Sequence, residues 1–288
     1  MPSMIELIKE LRDRTGAGMM DCKKALEACN SDVEKAIDWL REKGIAKAQA
    51  KSSRIAAEGL AHVVVKGEKA VILEVNCETD FVAKGERFHK LVEDCSSETL
   101  AKGYATVEEA KVGVAQLFTD ATVAMGEKLD YRRFEVVSKS SEQGFGSYIH
   151  MGGKIATLVV LAKADEELAR GLAMHIAANA PKYVAQEDIP ADVIAHEKAI
   201  ALENMKNDPK MAGKPEAMLN GIADGKVKKL LSESVLGAQV YLLDGEKTVA
   251  QVLKEKGNGV VKFVRYAVGE GIEKRKDDFA AEVMSQIK

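Results

Sequence analysis

The sequence predicts an α+β protein with antiparallel sheets, because helical and strand-like hydrophobic patterns occupy separate stretches of the chain. The first 45 residues carry helix signals, and from residue 60 the pattern changes to paired β-branched runs around a glycine turn. The same order of hairpin and helices returns roughly 85 residues later. We therefore predict a helical N-terminal segment and a core of two similar subdomains.

The N-terminal segment is predicted to contain three short helices. The first carries an apolar stripe and ends at Thr15-Gly16, and the second runs from Met19 or Met20 to Cys29. That first stripe consists of Ile5, Ile8 and Leu11. So small a bundle buries a limited core, and we expect it to be a docking module.

The third helix is predicted to follow Ser31, whose hydroxyl would form a capping box with Glu34. Gly44 stands where a C-terminal cap is expected, and residues 46–54 read as a linker that can be helical. The apolar face of this helix is Val33, Ile37 and Leu40.

The first core subdomain begins with a predicted hairpin of residues 60–65 and 70–75. One helix over 107–125 and a strand over 131–137 are expected to complete the subdomain. Between hairpin and helix, a further helix presents one apolar face made of Phe88, Leu91, Val92 and Cys95.

The second subdomain repeats this order with a hairpin over 147–161 and a helix over 165–179. A closing helix over 249–256 and a strand over 260–268 are predicted to complete it. The apolar side of the 165–179 helix is Leu168, Leu172, His175 and Ile176.

An insertion within the second subdomain is predicted to form two helices, one after Pro190 and one from Pro215. The turn between them includes Asn207-Asp208-Pro209. Such an αα-hairpin outside a compact core is expected to be a contact arm. Its apolar stripes are Val193, Ile194, Ala201, Leu202 and Met205 on the first helix, and Leu219, Ile222 and Leu230 on the second.

These patterns predict four segments along the chain. A helical module with its linker spans 1–54, and the first core subdomain spans 55–140. The second core subdomain takes 141–186 and 234–288, and the helical hairpin is inserted at 187–233.

Composition excludes several classes of protein. Forty-two Lys and Arg against 45 Asp and Glu give a net charge of -3, without the basic field expected of a nucleic-acid binder. The apolar runs are far shorter than the about 20 residues of a membrane helix, and the N-terminus lacks a signal-peptide pattern. Four cysteines without a Cys-x-x-Cys pair indicate a reduced cytoplasmic location, and five scattered histidines predict no metal site.

The sequence also lacks the motifs of common enzyme classes. No phosphate-binding glycine motif joins a strand to a helix, and Gly144 and Gly146 look like an entry turn. No nucleophile-elbow pattern occurs, and His150 beside a glycine turn is expected to have a structural or interface role. We therefore expect no catalytic residues and no cofactor, and favour a protein that acts by binding a partner.

The most unusual local feature is the sequence Thr79-Asp80-Phe81-Val82, which follows a strand and opens a helical stretch. In one interpretation Thr79 or Asp80 caps the helix and Phe81 packs inward as a hydrophobic staple. In the other, Phe81 is a protruding wedge for a partner's pocket, beside a carboxylate that can disturb a bound cation. Residue types favour the first interpretation, and the sequence pattern leaves both open.

Several stretches together resemble the bacterial elongation factor Ts family, the nucleotide-exchange factors of the translation GTPase elongation factor Tu. The most specific are residues 14–26 and 74–84, and residues 146–150, 268–274 and 278–283 extend the resemblance to nearly the whole chain. Glu78 and Met151 depart from the family pattern, which has Gln and Gly there. The resemblance implies a ubiquitin-associated-like (UBA-like) N-terminal module, a two-subdomain core and a coiled-coil arm.

The resemblance also implies how such a chain would work. Thr79, Asp80, Phe81 and Val82 would intrude near the magnesium site of elongation factor Tu and dislodge the ion, so that GDP leaves and GTP can bind. The family likeness assigns further partner contacts to His150, Met125, Gly126, Met19 and Met20. For the two methionines a core position is an equally open interpretation.

The partner implied is elongation factor Tu in its GDP-bound and nucleotide-free states, with no direct contact to nucleic acid or membrane. A dimer of factor–GTPase heterodimers is left open. Two rival hypotheses are a UBA-like scaffold that only holds a partner and a hydrolase that uses His150. Release of fluorescent GDP from a preloaded GTPase would separate the three.

Overall fold

The computed structural model describes residues 2–208, 211 and 213–273, and its contacts divide the chain into two units. Unit 1 comprises Met1–Ser138, Ile149–Ala156 and Tyr266–Lys288, and unit 2 comprises Lys139–Tyr148 and Thr157–Arg265. Helices and two three-stranded sheets in the described residues confirm the α+β class. The finer boundaries of the four predicted segments remain predictions.

Three helices open unit 1: α1 (Met4–Thr15), α2 (Met19–Ala28) and α3 (Val33–Ala50). Ser3 begins α1 with a capping box to Glu6, and Gly16 ends it in the left-handed conformation with φ 71°. The buried side chains that the three helices share are Leu7, Leu11, Ala17, Cys22, Ala25, Leu26, Ala36 and Leu40.

Two details predicted for these helices are wrong. Ile5 is exposed, and Leu7 takes its place in the buried stripe with Leu11. The carboxylate of Asp32, not the hydroxyl of Ser31, accepts the backbone N–H of Lys35 at 3.1 Å. The predicted cap is one residue too early because Ser31 itself adopts φ 64° in the preceding turn.

The prediction that Gly44 ends α3 is wrong, because Gly44 lies inside the helix. A Cβ at this position would approach Val123 Cγ2 to 2.5 Å and the carbonyl of Thr119 to 3.3 Å. Gly44 therefore allows α3 to pack closely against a later helix of unit 1, and the helix continues into the predicted linker.

The first sheet has the order β1-β2-β3, with β1 (Glu58–Lys66), β2 (Lys69–Cys77) and β3 (Asp130–Ser138) antiparallel to their neighbours. The predicted hairpin and third strand are thus confirmed. Buried residues of the sheet and of the following helices form one core, which includes Val71, Leu73, Val75, Phe88, Leu91, Val92, Cys95 and Tyr131.

The helices of this part are α4 (Asp80–Ala83), α5 (Glu86–Lys102), α6 (Val107–Gly113) and α7 (Ala115–Met125). The single helix predicted over 107–125 is wrong, because the backbone leaves helical geometry at Val114 (φ -100°, ψ 9°). Gly113 lies at this break against Tyr104, where a Cβ would meet the phenol oxygen at 1.9 Å.

The second sheet has the order β4-β5-β6, with β4 (Gly144–His150), β5 (Ile155–Leu161) and β6 (Val260–Ala267). In unit 2 the sheet packs with α8 (Glu166–Asn179), whose first turn is capped by Asp165. The predicted hairpin and helix are confirmed, as are the closing helix and strand. The shared core includes Val159, Leu161, Leu168, Leu172, Ile176, Leu236 and Val249.

Unit 2 also contains α9 (Ala191–Lys206) and α10 (Glu216–Ser232), which pack on each other, and the closing α11 (Val249–Glu255). The predicted apolar stripes are only partly right. Met205 is buried, but on α10 Ala223 and Val227 are the buried residues while Leu230 is exposed. Pro209 of the turn and the 278–283 motif lie outside the described residues.

Across the part of the chain that the structure describes, no helix is both long enough and apolar enough to cross a membrane.

Candidate functional site

The segment from Thr79 to Ala83 forms a single capped helical turn. Thr79 is extended (φ -124°, ψ 155°), and its hydroxyl oxygen accepts the backbone N–H of Val82 at 3.4 Å. Cys77 before the turn and Ala83 at its end are fully buried, and Val82 packs against the unit 1 core. The turn is therefore anchored at both ends on the sheet.

Phe81 projects from this turn into solvent. Its side chain is 84% exposed, whereas that of Phe88 in the next helix is completely buried. The cap predicted at Thr79 is confirmed, but the inward-packing staple is not formed. Phe81 thus presents a large apolar ring to solvent on a capped turn.

Asp80 forms an ion pair with Lys84, one turn along the helix, with Nζ and Oδ2 2.6 Å apart. The hydrogen bond from Lys84 is the main cause that lowers the pKa of Asp80, and Lys154 lowers it further. The same hydrogen bond raises the pKa of Lys84. Asp80, which precedes Phe81 in the turn, is therefore an exposed, ionised carboxylate.

Cys77 stabilises the turn through a hydrogen bond. Its thiol donates to the carbonyl of Thr79 at 3.2 Å. Burial raises the pKa of Cys77 to about 12, so the sulfur keeps the proton that this bond requires.

Glu127 holds the start of the turn by hydrogen bonds, and this residue was not predicted from the sequence. Its carboxylate accepts the N–H groups of Glu78 and Thr79, both at 3.0 Å, and the hydroxyl of Thr79 at 2.6 Å. The available signal was its position directly after Met125-Gly126, which the family resemblance had marked.

Met125 and Gly126 end α7 beside this turn. Gly126 adopts φ 70° as the helix cap, and its carbonyl accepts a hydrogen bond from Lys51. Met125 is half-buried against the unit 1 core. The structure thus brings the Met125-Gly126 segment next to the Thr79–Val82 turn, with Glu127 as the direct link.

His150 ends β4 and is followed by the left-handed Met151 (φ 49°) in a turn that packs on β1. Lys154, at the end of that turn, pairs with Glu58 at 2.6 Å. Glu58 lies opposite Cys77 in the β1–β2 register. The turn after His150 and the Asp80–Phe81 turn therefore reach the same end of one hairpin.

Met19 and Met20 lie in the first turn of α2, and their side chains are 59% and 63% exposed. They are not core residues, which removes one of the two interpretations left open by their spacing. Unbranched thioethers on a surface suit an adaptable protein contact.

The described residues contain no group of three or more His, Cys, Asp or Glu side chains placed to hold a metal ion. What they contain is an outward aromatic ring and an ionised carboxylate at consecutive positions of one turn, which is held by several hydrogen bonds. This fold and site define a protein that acts by docking on another macromolecule.

Comparison with known proteins identifies the family. The family model described as "Elongation factor TS" matches residues 78–270. The elongation factor Ts of Acholeplasma laidlawii (strain PG-8A) is 49% identical, over 98% of this chain and 97% of the relative. That of Lactiplantibacillus plantarum (strain ATCC BAA-793 / NCIMB 8826 / WCFS1) is 47% identical over the same shares.

The chain belongs to the elongation factor Ts family. Its function is nucleotide exchange on elongation factor Tu in translation elongation, as the resemblance of its motifs implied.

Proposed function

We propose that the Thr79–Val82 turn drives this exchange by intruding near the magnesium site of elongation factor Tu. Displacement of the ion would leave the phosphates of GDP without their counter-charge, so that GDP dissociates and GTP can bind. The observation that carries this proposal is the 84% exposure of Phe81 on an ordered, capped turn. The chain itself performs no chemical step and needs no cofactor.

Asp80 supplies the charge in this mechanism. Carboxylate oxygens are hard ligands of the kind that Mg²⁺ prefers, so an ionised carboxylate near the ion competes with its existing ligands. The contact with Lys84 keeps Asp80 ionised and is itself exposed, so a partner can replace it without a large desolvation cost.

Phe81 alone would not account for an acceleration of a thousandfold. A thousandfold faster release of GDP requires about 4 kcal/mol, at about 1.4 kcal/mol for each factor of ten. Burial of one phenylalanine side chain supplies about 1.5–3 kcal/mol. Other contacts must therefore also favour the nucleotide-free GTPase.

We assign the additional contacts to His150, to Met125 and Gly126, and to Met19 and Met20. Two observations support this assignment: Glu127, next to Met125-Gly126, accepts the Thr79 hydroxyl, and the turn after His150 reaches the same end of the β1–β2 hairpin. The exposed methionines would bind from a UBA-like module, and α9 with α10 would serve as a coiled-coil arm. These surfaces would supply affinity for elongation factor Tu in both nucleotide states, and the turn would supply the difference in affinity between the two states.

The complex proposed is one of protein with protein in the cytoplasm. A net charge of -3 offers no basic field for RNA, in keeping with a factor that binds the GTPase directly. The factor would bind both GDP-bound and nucleotide-free elongation factor Tu, and two such heterodimers can associate.

The test is stopped-flow release of fluorescent GDP from preloaded elongation factor Tu. Phe81→Ala is expected to slow release at saturating factor by about tenfold or more, because most of the burial energy of the ring is lost. Val112→Ala is the matched control, since it also removes an exposed apolar side chain (78%) from a helix of unit 1.

The control is expected to release GDP within about twofold of the wild-type rate, as surface substitutions usually cost little. A wild-type rate for Phe81→Ala would contradict the wedge mechanism. No acceleration by the unaltered chain would favour the scaffold hypothesis.

A further inference from the structure

Three chain segments meet behind the Thr79–Val82 turn. They are residues 51–54 after α3, residues 78–79 after β2, and residues 126–128 after α7, and we refer to them together as the junction. Its hydrogen bonds join groups far apart in the sequence, so no local pattern reveals it.

Glu127 organises the side of the junction that faces the turn. One carboxylate oxygen accepts the N–H groups of Glu78 and Thr79, each at 3.0 Å, and fixes the backbone that enters the turn. The other accepts the Thr79 hydroxyl at 2.6 Å. Because that hydroxyl donates its hydrogen to Glu127, its lone pair is directed to the N–H of Val82, which closes the cap.

The opposite side of the junction is held by Glu78 and Lys128. The Glu78 carboxylate accepts the N–H of Lys128 at 2.6 Å and a guanidinium N–H of Arg54 at 3.1 Å. Burial acts to raise the pKa of Glu78, but these two donors outweigh it and the pKa is lowered. The Lys128 ammonium donates to the carbonyls of Ser52 and Arg54, both at 2.7 Å.

We propose that Glu127 is a positioning residue for nucleotide exchange: it holds the turn so that Phe81 points outward, and Glu78 and Lys128 tie this orientation to the segment after α3. The proposal rests on the wedge role of Phe81. A four-residue helix has little stability of its own, so the braces decide its orientation. Without them the ring must be ordered when it enters the magnesium site during exchange, at an entropic cost to that step.

The test compares Glu127→Ala with Glu127→Gln in the fluorescent GDP release assay, using the full chain. Glu127→Ala is expected to lower the release rate at saturating factor by about three- to tenfold, because three hydrogen bonds to a charged acceptor are lost. The factor concentration for half-maximal rate is expected to change by less than about twofold, since the other contact surfaces remain. Glu127→Gln should restore most of the rate, because one amide oxygen can accept both N–H groups.

Glu109→Ala is the matched control. Glu109 also accepts a backbone N–H, that of Ala105 at 2.9 Å, but at the start of α6. Glu109→Ala is expected to leave the saturating release rate and the half-maximal factor concentration within about twofold of wild type. Thermal unfolding of all variants checks that the effect of Glu127→Ala is not a general loss of stability.

Double substitution separates this inference from the wedge mechanism. If Glu127 acts through Phe81, then Glu127→Ala added to Phe81→Ala slows release by less than about twofold further. Three results would overturn the inference: a wild-type release rate for Glu127→Ala, an equal loss of rate in Glu109→Ala, or rate losses of Glu127→Ala and Phe81→Ala that add fully in the double variant. The wedge mechanism would still stand in these cases if Phe81→Ala alone slows release. A wild-type rate for Phe81→Ala would overturn the wedge, and this inference with it.

Discussion

At the scale of single residues, Phe81 combines two properties that a wedge requires. Its ring is 84% exposed, so nearly its whole apolar surface remains to be buried against a partner. Its backbone is nevertheless fixed by the Thr79 cap and by the buried side chain of Ala83. Affinity gained by burying the ring is therefore not offset by ordering of the backbone.

Met151 is a second residue whose position has a cost. It adopts φ 49°, a left-handed conformation that costs a residue with a side chain about 1–2 kcal/mol. Glycine, which the family resemblance led us to expect here, adopts this conformation without strain. The departure at Met151 is thus a local strain next to His150.

We predict that Met151→Gly raises the free energy of unfolding by about 0.5–1 kcal/mol, the relief of strain less the extra entropy of an unfolded glycine. Met151→Ala is the control, because it removes the same exposed side chain but keeps the Cβ and the strain. Urea unfolding of the three proteins measures the difference. Equal stability of Met151→Gly and Met151→Ala would show that the left-handed backbone is not strained.

At the scale of secondary structure, most predictions from local signals succeeded, although the cap of α3 was placed one residue too early and the break at Val114 was missed, whereas those that depend on distant contacts did not succeed. The β1–β2 hairpin and the cap of α4 follow from residues adjacent in the sequence. The passage of α3 through Gly44 depends on Val123 in α7, about which the local sequence carries no information. The brace at Glu127 was missed for the same reason, since it lies 48 residues from Thr79.

Helix α8 offers a test of the same local chemistry. It ends at Ala180, which adopts the left-handed cap conformation (φ 46°, ψ 50°) that glycine usually occupies. We predict that Ala180→Gly raises the free energy of unfolding by about 0.5–1 kcal/mol. Ala178→Gly, on the exposed face inside the same helix, should lower it by about 1 kcal/mol.

Denaturant unfolding compares the two substitutions directly. A loss of stability in Ala180→Gly like that in Ala178→Gly would contradict the assigned cap.

At the scale of the whole molecule, the sequence predicted the fold class and the family motifs, and the motifs pointed to the Thr79–Val82 turn. The sequence could not choose between an inward and an outward Phe81, because both satisfy the same residue pattern. Nor could it show that Met19 and Met20 are exposed, since helical spacing fits either a core or a surface stripe. In each case, whether the side chain is buried or exposed depends on how the folded segments pack together.

In the proposed mechanism, several surfaces bind elongation factor Tu in both nucleotide states and the Thr79–Val82 turn binds the nucleotide-free state preferentially. The exchange protein weakens the binding of GDP to elongation factor Tu. Thermodynamic linkage then requires that GDP weakens the binding of the exchange protein to elongation factor Tu by the same ratio. Contacts that are equal in both states supply affinity but no exchange. The mechanism therefore requires that Phe81 makes a contact that differs between the GDP-bound and nucleotide-free states of elongation factor Tu.

The most direct test is calorimetric titration of wild-type and Phe81→Ala factor into GDP-bound and into nucleotide-free elongation factor Tu. We predict that Phe81→Ala lowers the preference for the nucleotide-free form by about tenfold or more, which corresponds to the burial energy of one phenylalanine. We also predict that affinity for the GDP-bound form changes much less. An unchanged ratio of the two affinities would contradict the wedge mechanism, because Phe81 would then make the same contribution in both states.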